Sequence, residues 1–258
     1  MEIRRHAGPL FEEGDDGDGD GRLAGGLSDL LDARDTLVEI DRGDPPRVVL
    51  GVPHHAAPGV DRIAERRPEG GRVADENAAL YALVALGRLA SLGVPARLLV
   101  AAHATDHDPN KSARSPYCRR VLDCRAELLI ECHGAGARAP HDLELSAGRN
   151  ALADPLRFSR GLLDALGPGF HLAAQSLPGQ RAAVLMDARG RETGAAVLRF
   201  PALRTRSLAA AGEVGMAALH LEAKPRFRSR VDGRAGLPPP GRRLGEALAR
   251  AAAAYLAG

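Results

Sequence analysis

Two short apolar runs in this chain end in histidine: Arg47-Val-Val-Leu-Gly-Val-Pro-His54-His55 and Glu127-Leu-Leu-Ile-Glu-Cys-His133-Gly-Ala-Gly136. Runs of strand length that are apolar without alternation mark parallel strands buried on both faces. Parallel strands need crossover connections, usually helices, so these runs constrain the chain to an α/β architecture. In such a sheet the carboxyl ends of the strands open onto one crevice, where ligands bind. Both histidines are thereby delivered to the same edge of the sheet.

The remaining pattern agrees with strand and helix in alternation. Leu80, Leu83, Val84, Leu86, Leu89 and Leu92 recur at helical steps, which predicts a helix over 76–92 with Gly93 as its stop. Asp75 stands before it, placed to cap free amides. Strands are expected at 48–52, 97–102, 128–132, 182–186, 195–199 and 217–222, with a turn at 187–190. Helices are expected at 154–166 and, after Pro238-Pro-Pro-Gly, at 242–256. The expected fold is a single three-layer α/β/α domain over 47–258, preceded by a peripheral segment, 1–46. Within that segment Asp16, Asp18 and Asp20 alternate before Gly21 as in a calcium loop. The twelfth position counted from Asp16 is Leu27, where a bidentate glutamate belongs, so a solvated loop is expected.

Composition excludes several partners. A formal charge of +2 over 258 residues gives no concentrated basic face for nucleic acid, and with no tryptophan there is little to stack bases on. Three cysteines, Cys118, Cys124 and Cys132, do not describe a disulfide framework. No run of roughly eighteen apolar residues is present to span a bilayer, and Met-Glu-Ile-Arg-Arg-His leads into acidic glycines rather than a signal core. A soluble protein of the reducing cytoplasm, with no membrane partner, is the expectation. All but two of the 35 basic residues are arginine, and the exceptions, Lys111 and Lys224, read either as sites that keep a compact ammonium or as chance survivors of the arginine bias.

Imidazoles from two strand ends, with a carboxylate nearby, suit a three-ligand zinc site that keeps one position open for water. His54, Glu76 and His133 can supply that set. Glu76 is preferred to Asp75 because Asp75 is the better cap, and either His54 or His55 can face the ion. A separate base must then take a proton from the water, and Glu222, closing the apolar run Ala217-Ala-Leu-His-Leu-Glu, is the candidate. Lys224, two residues on, can stabilise a developing oxyanion or pair with a carboxylate. Arg149 can bind an anionic substrate group. Glu131 shares a strand face with His133 and can orient a ligand imidazole. His103, His107 and His141 are read as rim or solvated residues.

The succession Val-Pro-His54, Asp106-His-Asp-Pro-Asn110-Lys111, Glu-Cys-His133-Gly, His141-Asp-Leu-Glu-Leu-Ser-Ala-Gly148-Arg149 and Leu-His-Leu-Glu222 resembles N-formylglutamate amidohydrolases, within the wider zinc carboxypeptidase and aspartoacylase-like hydrolases. The resemblance implies a mixed, twisted sheet of the zinc exopeptidase type, one zinc ion, and cleavage of an amide bond beside a carboxylate-bearing group. It matches His54 and His133 to ligand histidines and Glu222 to the catalytic glutamate. Asn110 and Lys111 match an Asn-Arg pair that grips the substrate carboxylate, with a point charge in place of the arginine fork. Three departures stand out: Pro-His54-His55-Ala in place of Pro-His-Ser-Gly, a carboxylate unusually far behind the first histidine, and Lys111 itself. The expected substrate is a small acyl-amino acid. A short peptide, cleaved as by a carboxypeptidase or cell-wall peptidase, is the alternative, and a non-catalytic ligand-binding descendant is the third reading.

Overall fold

The computed structural model describes residues 2–11, 23–32, 36–56, 75–102, 108–228 and 237–258. Along the chain run β1 (Glu2–His6), α1 (Gly25–Asp32), β2 (Thr36–Arg42), β3 (Val48–Val52), β4 (His55–Ala56), β5 (Asp75–Glu76), α2 (Ala78–Ser91) and β6 (Ala96–Ala102). There follow α3 (Pro116–Asp123), β7 (Leu128–Gly134), β8 (Leu143–Ser146), α4 (Pro155–Leu166), β9 (Leu172–Gln175), β10 (Ala182–Met186) and β11 (Glu192–Val197). The chain closes with α5 (Arg206–Glu213), β12 (Ala217–Ala223) and α6 (Pro239–Leu256).

Ten strands form one mixed sheet in the order β1-β2-β6-β3-β7-β12-β8-β9-β10-β11. Its centre, β6-β3-β7-β12, is parallel throughout, so the ends of β3, β7 and β12 emerge on one side. Side-chain alternation divides the two faces. Val48, Leu50, Val52, Leu128, Ile130, Cys132, Leu219 and Leu221 pack with α2, α4 and α6. Val49, Leu129 and Ala218 pack with α3 and α5 on the other side. Glu131, His133, His220 and Glu222 share this second parity, so the polar groups gather where the α3–α5 face meets the carboxyl ends of the strands. In α2, Leu83, Leu86 and Leu89 are fully buried, and each contributes roughly 1.5–3 kcal/mol by leaving water.

One feature differs from the sequence expectation. Residues 1–46, set apart there as peripheral, supply β1 and β2 to the sheet, and Leu37, Val38 and Ile40 are fully buried. The signal was masked by Glu39, a charge inside the strand. Glu39 is 1% exposed and is neutralised by Arg120 of α3 (Nε to Oε2 2.9 Å) and by Arg97 of β6 (3.4 Å). The acidic positions Asp16, Asp18 and Asp20 lie outside the described residues.

Glu39 gives a testable consequence. Burial pushes its pKa up, but the hydrogen bond and charge of Arg120, with Arg97 and Arg5, outweigh this and hold it below the ordinary value of 4.5. A group depressed in the folded state stabilises the protein above its unfolded pKa and loses that contribution as pH falls through its folded pKa. Glu39→Gln, which removes the carboxylate partner of Arg120 while Arg97 keeps Asp41 and Asp44, is expected to cost about 3 kcal/mol at neutral pH. Chemical denaturation at pH 7 and in acid should show the gap between variant and native protein narrowing below the ordinary carboxylate range. An equal gap at both pH values excludes the charge pairing as its source.

Candidate metal centre and catalytic cleft

β3 ends in Val52-Pro53, and the chain then turns so that β4 pairs in parallel with β5, setting His55 against Asp75. The backbone amide of Asp75 donates to the carbonyl of His54 at 2.9 Å. This local pairing bears on both alternatives left open by the sequence. His55 turns away, its Nδ1 accepting from the amide of Ala79 at the start of α2 (3.3 Å). His54 faces inward. Asp75, expected to cap α2, does not do so: the cap position is Asn77, in the left-handed region at φ 57 with no side-chain cap. The Asp75 carboxylate is directed instead at the histidines. The side chain of Glu76, the carboxylate favoured from sequence, lies outside the described residues.

Three donor atoms converge. His54 Nδ1 and His133 Nδ1 are 3.0 Å apart, and Asp75 Oδ2 lies 3.3 Å from the first and 3.0 Å from the second. Donors 2.0–2.1 Å from a tetrahedral zinc ion stand about 3.3 Å from one another, so the spacing fits a single small cation. Among protein groups alone the arrangement is a poor one, since two ring nitrogens and one carboxylate oxygen meet at a point that few protons can serve. Burial opposes charge on His133, yet Asp75 and Glu131 raise its pKa to about 10. Burial likewise raises Asp75, and the hydrogen bonds from His133 and His54 outweigh it and hold the carboxyl far below its usual range. The trio thus stabilises positive charge, which a divalent cation supplies.

Each imidazole is fixed from behind. His54 Nε2 is 3.0 Å from Asp108 Oδ1, and the other oxygen of Asp108 pairs with Lys111 Nζ at 2.8 Å. His133 Nε2 lies 3.7 Å from Glu131 Oε2. Glu131 is fully buried and accepts from Tyr117 Oη (2.9 Å), Ser207 Oγ (2.5 Å) and Asn110 Nδ2 (3.1 Å). Carboxylates of this kind set the tautomer and raise the basicity of ligand histidines. Glu131, His133 and His220 also stand close enough to hold an ion. The three donors already on Glu131, and its place behind His133, mark it as an orienting group instead.

The close approach of Tyr117 depends on Gly51, since a Cβ there would run into the tyrosine hydroxyl and touch Glu131. Gly51→Ala is expected to cost about 1–3 kcal/mol by overpacking. Through the displaced Glu131 it should also weaken zinc affinity about 10–100-fold. Denaturation and zinc titration read the two effects separately, and unchanged zinc affinity removes Glu131 from behind the metal.

Beside the trio, Glu222 and His220 project from β12 on the same face. His220 Nε2 is 2.9 Å from Glu222 Oε1, and the His220 ring stacks on His133 with centroids 4.1 Å apart. Both line a cleft of about 430 Å³ with Asn110, Lys111, His133, Arg181, Arg199 and Arg204. The structure therefore brings together His54, His133, Glu222, Asn110 and Lys111 from the sequence reading. Asn110 sits deeper than a rim residue, its amide 3.5 Å from His133 Nε2. Lys224 is not in the cleft lining, standing 3.8 Å from Asp142, which also binds Arg226. This is the ion-pair alternative for Lys224, in place of the oxyanion role. Arg149 is exposed in the turn after β8 and outside the lining. His141 is partly buried near Lys224 and His171, away from the lining, and His103 and His107 lie outside the described residues.

Asp108, His220 and the three cleft arginines had no assigned role in the sequence reading, and Asp75 was read there as a cap and as the alternative to Glu76. His220 was within reach, because strand alternation puts it on the face of Glu222.

No protein-family model matches the chain, and no curated protein matches its sequence. Solved structures do match. N-formylglutamate amidohydrolase from Ralstonia eutropha JMP134 aligns over 86% of this chain and 98% of its own, at 14% identity and a TM-score of 0.50. A bacteriophage poly-gamma-glutamate hydrolase aligns over 86% and 90%, at 15% identity and 0.46. A metallo-carboxypeptidase from Pseudomonas aeruginosa aligns over 86% of this chain and 60% of its own, at 15% identity and 0.43, so the chain spans about 60% of that protein's length. The mixed sheet between helices expected from the motifs is thus the fold found in the Ralstonia amidohydrolase. No helix among the described residues is long and apolar enough to cross a membrane.

Proposed function

We propose that this chain is a zinc-dependent hydrolase of amide bonds, acting on the N-acyl group of an acidic amino acid. In this reading His54, Asp75 and His133 hold the ion and Glu222 is the base. The convergence of three donor atoms within 3.0–3.3 Å, one of them on His133, which lines the same cleft as Glu222, carries the reading. A divalent cation bound there would lower the pKa of a coordinated water and polarise the amide carbonyl.

The protein groups account for the remaining steps. A Glu222 carboxylate oxygen takes the proton of the attacking water and passes it to the departing amide nitrogen, as positioned acid–base groups do. His220, bonded to Glu222 Oε1, fixes the carboxylate rotamer so that Oε2 is presented to the cleft. Asp108 and Glu131 keep the two imidazoles oriented. Lys111, Arg181, Arg199 and Arg204 outnumber the single carboxylate of the lining, so the cleft draws in anions. Lys111 and Asn110, both in the lining, meet the substrate carboxylate, and Arg149 remains outside this set. Three buried, unpaired cysteines suit a reducing, cytoplasmic setting.

Metal analysis of protein purified without chelator, paired with hydrolysis assays on N-formyl- and N-acetyl-L-glutamate and on short acidic peptides, tests the reading. Stoichiometric zinc and cleavage of the acyl-amino acids are expected. Cleavage of peptides alone makes the chain a peptidase with the same centre, and protein that holds no zinc and cleaves neither is a binding module.

A further inference from the structure

One wall of the cleft is the segment 199–205, which joins β11 to α5 and carries Arg199, Phe200 and Arg204. Besides the bonds that Arg199 makes with Arg181 and Arg138, three contacts fasten it. At its far end the carbonyl of Asn110 accepts the amides of Arg206 (2.8 Å) and Ser207 (3.1 Å). At its middle the carbonyl of Ala202 packs on Gly148, so closely that a Cβ on Gly148 would stand 2.7 Å from it. At its near end one carboxylate oxygen of Glu144, Oε2, accepts two successive amides, those of Arg199 (3.0 Å) and Phe200 (2.9 Å).

Glu144 lies on β8 directly opposite Glu222 on β12, and it is 1% exposed. A second buried acid facing the proposed base is a costly placement, since burial and like charge both work against it. Its two charge-assisted bonds offset that cost, and they connect the strand that carries Glu222 to the wall that carries the arginines.

We propose that Glu144 is a positioning residue: by clasping the amides of Arg199 and Phe200 it sets the span between Glu222 and the arginine wall, and so governs substrate capture and not the chemical step. This rests on the hydrolase reading for its kinetic part alone. Glu144→Ala in the zinc-loaded protein is expected to raise KM about tenfold with kcat held within about twofold, the size of losing one hydrogen bond to a charged group. Zinc content should not change. Trypsin should cut after Arg199 and Arg204 sooner than in the native protein. Glu144→Gln, which keeps an acceptor oxygen, should restore both KM and protease resistance. If Glu144→Ala does not fold, Glu144→Asp, which keeps the charge but shortens the reach, should raise KM at constant kcat. Native KM together with native trypsin resistance in Glu144→Ala overturns the proposal. So does a fall in kcat at constant KM, or a glutamine variant as impaired as the alanine one. Should the native protein hydrolyse no substrate, the hydrolase reading fails, while the trypsin comparison still decides whether Glu144 holds the wall.

Discussion

Glu222→Gln is expected to keep its zinc and to lose turnover by about 10²–10⁴-fold, the contribution of a positioned general acid–base group. The substitution is nearly isosteric, and a glutamine carbonyl can still accept from His220 Nε2, so the contact now made at 2.9 Å survives. What is removed is the capacity to take a proton. Glu222 is 6% exposed and faces the cleft beside His133, so its carboxylate has no ordinary solvent-facing role. The rival account is structural, with Glu222 serving only to pair with His220. That account leaves kcat unchanged in the glutamine variant and predicts a large loss for His220→Ala. The proposed one gives the reverse order, because removing His220 frees the carboxylate rotamer but leaves the base in place. Zinc content by mass spectrometry, measured on the same samples as kcat, separates loss of chemistry from loss of metal.

The parts of the fold that were legible in the sequence are those whose signal is local and apolar. β3 is an uninterrupted apolar run, β7 and β12 each open with three apolar residues, as parallel strands buried on both faces do, and α2 carries leucines at helical steps. Their carboxyl ends located His54, His133 and Glu222. β2 was not legible because Glu39 interrupts its pattern, and it takes arginines distant in sequence, Arg97 and Arg120 above all, to explain how that charge is tolerated. β8 failed for a similar reason. It is four residues long with Glu144 inside it, and the amides that satisfy Glu144 come from the segment after β11. Asp108 sits in a polar loop whose nearer part resembled solvated sequence. In each case the missing information is a long-range partner, which no window of local sequence contains.

Asp75→Ala is expected to strip the metal outright, weakening zinc affinity by more than the roughly 10–100-fold that loss of a group behind a ligand causes. Local helix signals favour Asp75 as a cap and leave its neighbour Glu76 to bind the ion. The structure argues otherwise at three points. The cap position is taken by Asn77 in the left-handed region. The β4–β5 pairing holds the Asp75 backbone against His54. The carboxylate closes the gap between two imidazole nitrogens at 3.0 and 3.3 Å. Removing it leaves His54 and His133 as the two remaining donors of the trio, one ligand short of the three that a site with an open position needs. Asp75→Ala is therefore expected to bind zinc only weakly and to be inactive while keeping its helical content, since the core beneath β3 and β7 is untouched. Glu76→Ala is expected to retain zinc. The reverse outcome, metal kept without Asp75 and lost without Glu76, moves the third ligand one residue along the chain and with it the interpretation of the β4–β5 turn.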